Sequence, residues 1–288
     1  MTKSLPLAVL GRRIALSIAL ATVATAPSHA SFVIFEAAGG NPAAITATRD
    51  AFRTAVGGGS VAGGNGSFGG VRREINWDGV PDARADSNAL PANFFNVNSP
   101  RGVVFSTPGA GFLVSANAGN PTSTPVLFGF STYFQTFSAQ RLFTAVSSNI
   151  TDVSFFVPGT TNAATTSAFG VIFTDVESAN LTRIDFFGED NFPIFGRDVL
   201  VAGAQGLSFV GAVADAGERI ARVRITSGTN TIVSNGVLGN PTGDVVVMDD
   251  FLYAEPTGIP EPGSMSLVGL GLGWMGVRWL RHRRRMAA

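Results

Sequence analysis

Carboxylates are the side chains of this sequence whose spacing could support chemistry. Two adjacent pairs, Glu189-Asp190 and Asp249-Asp250, could in principle act as acid and base on a glycosidic bond. Side chains of neighbouring residues on a strand point to opposite faces, so neither pair forms such a couple by itself. Solvated acids in a loop or at a strand end are the simpler interpretation of both pairs.

Other catalytic side chains are confined to the two ends of the chain. The histidines are His29 and His282, the only lysine is Lys3, and cysteine does not occur. The central region therefore cannot use Ser-His-Asp or Cys-His catalysis, a Schiff-base lysine or an ordinary zinc site. The groups that could still carry chemistry in the central region are carboxylates, arginines, hydroxyls and tyrosines.

Oxygen ligands for calcium are the better hypothesis for these acids, since hard cations prefer carboxylates, amide oxygens and backbone carbonyls. Asp78, Asp82 and Asp86 recur at every fourth position in a turn-rich segment that lacks the EF-hand pattern. A loop of Asx turns without a metal is the alternative interpretation of this segment.

A second calcium hypothesis joins the first and last strands of the body. Glu36 lies in the first predicted strand, and Asp249 and Asp250 end the last one. In jelly-roll carbohydrate-binding modules a structural calcium often lies between such acids, so the analogy at the level of fold predicts a structural calcium here.

Exposed aromatic rings would be the platforms for a bound sugar. Trp77, Tyr133 and Tyr253 are the candidates, and Trp77, beside Asp78-Gly79 at a predicted strand end, is the residue assigned to ligand binding. The alternative is that Trp77 caps the core, as most of the 23 phenylalanines must fill it.

Short apolar runs bounded by Gly, Pro, Asn, Asp and Ser predict the fold from Val71 onward. In Arg219–Ile225, for example, Ala221, Val223 and Ile225 share one face and the arginines Arg222 and Arg224 the other. About ten to twelve such strands predict a mainly β protein, an antiparallel, jelly-roll-like β-sandwich. One short helix precedes it, with Pro42 in its first turn and Gly57–Gly59 at its end.

The charge distribution separates the body from its ends. Between Glu36 and Glu261 there are 20 acidic residues and 12 arginines, a net charge of −8. Phosphate affinity requires concentrated Lys and Arg, so no nucleic-acid partner is expected.

Residues 1–30 have the pattern of a secretory signal peptide. Basic residues lead into the 13-residue apolar stretch Ile14–Ala26, and Ser28 and Ala30 are the small residues at positions −3 and −1. A membrane span needs about 20 apolar residues, so a permanent anchor is the less favoured alternative. We expect cleavage after Ala30, with the body at 31–255.

The other end of the chain combines three features in a fixed order. A linker at 256–263 contains Pro260-Glu261-Pro262, a glycine-rich apolar run follows within 264–288, and a basic cluster ends the chain. The cluster contains Arg281, Arg283, Arg284 and Arg285. The apolar run predicts a short helix that inserts into the membrane with its arginines on the cytoplasmic side.

This C-terminal pattern resembles the PEP-CTERM sorting signal, and parts of the body resemble uncharacterised β-rich domains that carry it. The resemblance implies export across the inner membrane, transient anchoring there, and processing by an exosortase-type membrane transpeptidase. It further implies a place at the cell surface or outside the cell, in association with exopolysaccharide. A plain C-terminal anchor is the alternative.

Together these features predict a non-enzymatic envelope or extracellular-matrix protein. A calcium-dependent carbohydrate-binding module is the first alternative, and a carboxylate-based polysaccharide-active enzyme is the second.

Overall fold

Strands dominate the computed structural model, which describes residues 30–58, 71–117, 126–234 and 237–259 and confirms a mainly β protein. The helices are α1 (Pro42–Ala55) and the single turn α2 (Phe94–Val97), with 3-10 turns at Asp82–Arg84 and Leu127–Gly129. The strands are β1 (Phe32–Gly39), β2 (Arg72–Ile75), β3 (Val103–Ser106), β4 (Gly111–Val114), β5 (Phe143–Val146), β6 (Ile150–Phe155), β7 (Ala164–Thr165), β8 (Ala168–Thr174), β9 (Arg183–Phe187), β10 (Pro193–Asp198), β11 (Leu207–Ala214), β12 (Arg222–Thr226), β13 (Ile232–Ser234), β14 (Val237–Leu238), β15 (Val247–Ala254) and β16 (Thr257–Gly258).

Two sheets contain most of these strands. The larger has the order β1-β11-β8-β15-β5-β13-β14, with β2 added beside β15 and β4 beside β5. The smaller has the order β10-β9-β12-β6-β3, and β7 pairs with β16 separately. Neighbouring strands run antiparallel except β5 and β13, which are parallel. Buried side chains from both sheets belong to one hydrophobic core.

Strand β12 shows how the sequence pattern selects the faces. Val223 and Ile225 are fully buried in the shared core, as their alternation predicts. Arg222 and Arg224 point away from that core and both bind Asp152 on the neighbouring strand β6, at 2.6 and 2.8 Å. The alternating pattern thus places apolar bulk inside and pairs the outer charges across strands.

Helix α1 covers the outer face of the larger sheet. It begins where the sequence predicts, with Pro42 in its first turn and the Asn41 side chain accepting the N–H of Ala44 at 3.3 Å. Phe52 packs edge-on against Phe209 of β11, with ring centroids 5.6 Å apart. A side chain at Gly211 would meet the Phe52 ring at 2.7 Å, so glycine permits this close approach.

The body extends past its predicted end at Glu255. Thr257 and Gly258, which the sequence assigns to a linker, pair with β7, and the Ile259 N–H donates to the carbonyl of Ala163 at 3.1 Å. A strand of two residues that includes Gly258 and follows Pro256 is too short for its sequence to show a strand pattern. Among the described ranges, no helix is long and apolar enough to cross a membrane. The predicted C-terminal helix at 264–288 lies outside those ranges.

Candidate functional site

A bulge in β15 brings the two adjacent carboxylates Asp249 and Asp250 together. The pairing of β15 with β8 shifts register between Met248 and Phe251, so the two acids are not held on opposite faces of a regular strand. The Ser138 hydroxyl lies 3.2 Å from Asp249 Oδ1 and 2.7 Å from Asp250 Oδ1. The two carboxylates therefore lie together at Ser138, although side chains of neighbouring residues on a regular strand point to opposite faces.

This carboxyl pair is buried and hydrogen-bonded. Asp249 is 0% exposed and Asp250 5%, and the two carboxyl groups hydrogen-bond to each other. The backbone N–H of Phe137 donates to Asp249 Oδ2 at 2.6 Å. Burial, and then the neighbouring charge of Asp250, raise the pKa of Asp249 well above its ordinary value. Burial also raises the pKa of Asp250. The pair is therefore suited to share one proton.

The geometry of the pair limits its chemistry. Glycoside hydrolysis needs carboxyl groups about 5–9.5 Å apart with the sugar between them. Asp249 and Asp250 instead contact each other directly beneath the surface. Their arrangement matches a shared-proton dyad that fixes the segment around Ser138 rather than an acid and base flanking a substrate.

An open polar depression of about 450 Å³ lies beside this pair. Its lining residues are Asp78, Asn117, Ala139, Gln140 and Arg141. Asp78 Oδ1 accepts the backbone N–H groups of Gln140 and Arg141, at 2.5 and 3.1 Å, and burial raises the pKa of its carboxyl. The Ser138 side chain also acts to lower the pKa of Asp78, so one serine lies close to both the wall of the depression and the buried pair.

The predicted loop of three aspartates does not converge on a common centre. Asp82 pairs with the buried guanidinium of Arg141. The backbone N–H of Asp86 donates to the carbonyl of Val114, and burial raises the pKa of the Asp86 carboxyl to about 6. Two of the three acids therefore anchor the segment at Gln140 and Arg141 instead of facing a shared ion.

Glu36 is also separated from its predicted partners Asp249 and Asp250. Strands β11 and β8 lie between β1 and β15 in the sheet order. Glu36 instead forms a bidentate ion pair with Arg197 of β10, at 2.5 and 2.8 Å. Across the four described ranges, no group of three or more acidic, histidine or cysteine side chains is arranged to hold a metal.

Trp77 is a core residue, which corrects its assignment as a sugar platform. Its indole is 1% exposed, lies flat on Phe143 with centroids 4.1 Å apart, and donates from Nε1 to the carbonyl of Asp249 at 2.8 Å. Tyr253 is also buried and donates to the carbonyl of Arg101 at 3.0 Å. Of the three candidate rings only Tyr133 is exposed, at 42%.

The second acidic pair lies in the turn between β9 and β10, as its interpretation as loop acids predicts. Glu189 pairs with Arg219 at 2.6 Å, and Asp190 accepts the N–H of Phe192 at 3.1 Å. Asp190 therefore stabilises the turn itself, and Glu189 ties the turn to Arg219. Ser138 and Arg141 are the site residues that sequence reasoning missed, because their partners lie far along the chain and no local pattern marks them.

The sorting residues Pro260, Glu261, Pro262, Arg281, Arg283, Arg284 and Arg285 lie outside the described residues, whereas Ala30 is described and exposed. No protein-family model matches the chain, no curated protein matches it, and no solved structure matches it.

Proposed function

We propose that this chain is an exported, surface-sorted, non-enzymatic component of the cell envelope or extracellular matrix. A signal peptide is removed after Ala30, and an exosortase-type membrane transpeptidase processes the chain at Pro260-Glu261-Pro262. The mature body then associates with exopolysaccharide. The observation that carries the proposal is that both ends of the body are bound by one loop, at Glu218 and Arg219. The first strand begins just after Ala30, and the last strand ends just before Pro260.

At the N-terminal end, the chain is fixed immediately after the predicted cleavage site. The Ser31 N–H donates to Glu218 Oε1 at 2.7 Å, and the Ser31 carbonyl accepts the N–H of Asp215 at 3.2 Å. β1 begins at Phe32. Cleavage after Ala30 would turn the Ser31 amide into an ammonium group, and Glu218 would then hold it by an ion pair instead of a hydrogen bond.

The C-terminal end is fixed close to the same loop. Arg219, next to Glu218, donates from Nη2 to the carbonyl of Gly258 at 3.5 Å. The Ile259 N–H donates to the carbonyl of Ala163. Pro260 follows directly. Both ends of the body therefore leave the same side of the molecule. This supports an exported precursor whose two terminal segments reach one membrane while the body stays on its outer side.

The fold supports a structural role. We propose that the two sheets form an antiparallel, jelly-roll-like β-sandwich. Aromatic packing between its layers is dense: Phe105 of β3 contacts Phe251 of β15, and Phe186 of β9 contacts Phe169 of β8. Such a body requires no disulfide to be stable outside the cell.

Carbohydrate binding is the second candidate function, and the open depression favours it. Its wall offers the side chains of Asp78, Asn117 and Gln140, whose groups can hydrogen-bond to sugar hydroxyls. The binding surface is therefore proposed there and no longer at Trp77. Retention of exopolysaccharide fragments, compared between the wild type and Gln140→Ala, tests this role. Equal retention by both proteins would count against the depression.

The sorting proposal is tested in cells that contain the processing enzyme. Replacing Glu261 and Pro262 by Ala is expected to leave the precursor in the inner-membrane fraction with its C-terminal arginines attached. The matched control Glu189→Gln changes an exposed acid of the body and should be processed like the wild type. Normal processing of the double variant would overturn the proposal.

A further inference from the structure

Two buried carboxylates lie where the neighbouring strands β8 and β15 end and begin, and each has one oxygen for which the described residues supply no partner. Asp175 follows the last residue of β8 and is 0% exposed, and Asp244 precedes β15 and is 8% exposed. Among the residues that the structure describes, neither Asp175 Oδ2 nor Asp244 Oδ1 has a hydrogen-bond partner. An unpaired buried oxygen of a charged group is costly, so this arrangement requires an explanation.

The other oxygens of these carboxylates fix their positions. Asp175 Oδ1 accepts the N–H of Gln205 at 2.8 Å, and Asp244 Oδ2 accepts the N–H of Ser178 at 3.1 Å. The Asp244 carbonyl accepts the N–H groups of Thr229 and Asn230, both at 2.9 Å. The two free oxygens therefore belong to carboxylates that neighbouring backbone groups already hold in place.

The negative charges of Asp175 and Asp244 are not paired with an arginine among the described residues. Glu36, Glu74, Asp152 and Glu255 all form ion pairs with arginines. No such pair is formed by Asp175, Asp244 or Glu177 within the part of the chain that the structure describes. Glu177 is exposed and adds a third negative charge that acts on both carboxylates. Burial, with the charges of Glu177 and Asp244, raises the pKa of Asp175 to about 7.

We propose that Asp175 and Asp244 bind a hard divalent cation, calcium, where β8 ends and β15 begins. Calcium accepts six to eight oxygen ligands, and backbone carbonyls and water supply those that the two carboxylates do not. A proton shared between the two carboxyl groups is the competing way to satisfy these oxygens, and an identical melting temperature in calcium and EDTA would favour it. This site differs from the calcium positions expected from the sequence, and it does not depend on the proposed sorting.

Calcium titration of the purified protein tests the site directly. We expect native mass spectrometry to find one calcium per chain at about 1 mM free calcium. We also expect the melting temperature to be higher in calcium than in EDTA. Asp175→Asn and Asp244→Asn keep the shape and one acceptor oxygen, so both should fold, and each should weaken calcium binding about tenfold or more.

The controls separate the site from general acidity. Asp190→Asn removes an exposed turn carboxylate and should respond to calcium like the wild type. In EDTA, Asp175→Asn should melt at a higher temperature than the wild type, because it removes a buried charge without removing the Gln205 hydrogen bond. An identical melting temperature of the wild type in calcium and EDTA would overturn the proposal. Unchanged calcium binding by both site variants would overturn it equally.

Discussion

The backbone nitrogen of Ser31 lies 2.7 Å from Glu218 Oε1. If the chain is cleaved after Ala30, this nitrogen becomes a terminal ammonium group, and a neutral donor is replaced by a cation at the same carboxylate. Glu218 Oε2 also accepts the N–H of Ala216 at 3.1 Å, which holds the carboxylate in place. The described fold is therefore already arranged to receive the new N-terminus.

Glu218→Gln should consequently destabilise the processed protein slightly. An exposed ion pair is worth no more than about 1 kcal/mol, and salt weakens it. Urea unfolding at low and high salt is the measurement, and the difference between the wild type and Glu218→Gln should shrink as salt rises. A difference that does not depend on salt would contradict an ion pair at Ser31.

Trp77 should matter for stability and not for sugar binding. Trp77→Ala removes an indole stacked on Phe143 and the hydrogen bond to Asp249, and it should lower the free energy of unfolding by about 3–5 kcal/mol. Tyr133→Ala, at an exposed ring, is the matched control and should change stability far less. Chemical denaturation of both variants measures the difference. Equal stability of the two variants would refute the core position of Trp77.

The ion pair between Arg73 and Glu255 should fix the end of β15. Arg73 is 1% exposed, and its Nε and Nη2 lie 2.7 and 2.8 Å from the two oxygens of Glu255. Glu255→Gln removes the carboxylate charge beside this buried guanidinium and should destabilise the protein by about 3–5 kcal/mol. Glu189→Gln breaks an exposed pair and should cost at most about 1 kcal/mol. Similar losses in the two variants would show that Arg73 is not held as described.

The carboxyl pair at β15 should make stability depend on pH. The pKa of Asp249 is raised by burial and by Asp250, so the folded protein holds this proton more tightly than the unfolded chain. Its contribution is complete below the ordinary carboxyl pKa and is lost as the pH rises through the folded value. Asp249→Asn should therefore flatten the loss of stability that accompanies a rise in pH above the ordinary carboxyl pKa of about 4.

Several charged groups surround that pair, and the experiment must separate them. Arg49 lowers the pKa of Asp250 and Glu74 raises it. Asp175, which follows β8, also has a raised pKa and adds its own pH dependence to the stability. Asp190→Asn, in the exposed turn, is the control and should keep the wild-type profile. A wild-type profile for Asp249→Asn in denaturant unfolding across this pH range would argue against the shared proton.

Local signals were sufficient for the fold class and for single elements. The Asn41-Pro42 start and Gly57 stop delimit α1, and the alternation in β12 correctly separates Val223 and Ile225 from the arginines. These patterns work because capping, backbone freedom and two-residue periodicity act over a few residues.

The candidate sites depended on contacts that the sequence does not display. A bulge decides that Asp249 and Asp250 meet at Ser138, a residue more than one hundred positions away. The sequence left open whether Trp77 is a surface platform or caps the core, and its ring packs inward onto Phe143. Asp175 and Asp244 form no motif, since only the pairing of β8 with β15 makes them neighbours.

The intact mass of the protein recovered from the cell surface or the medium tests the central claim most directly. We expect the recovered chain to begin at Ser31 and to end close to Pro262, without Arg281, Arg283, Arg284 and Arg285. A chain that still carries residues before Ser31, or the arginine cluster at its C-terminus, would contradict it.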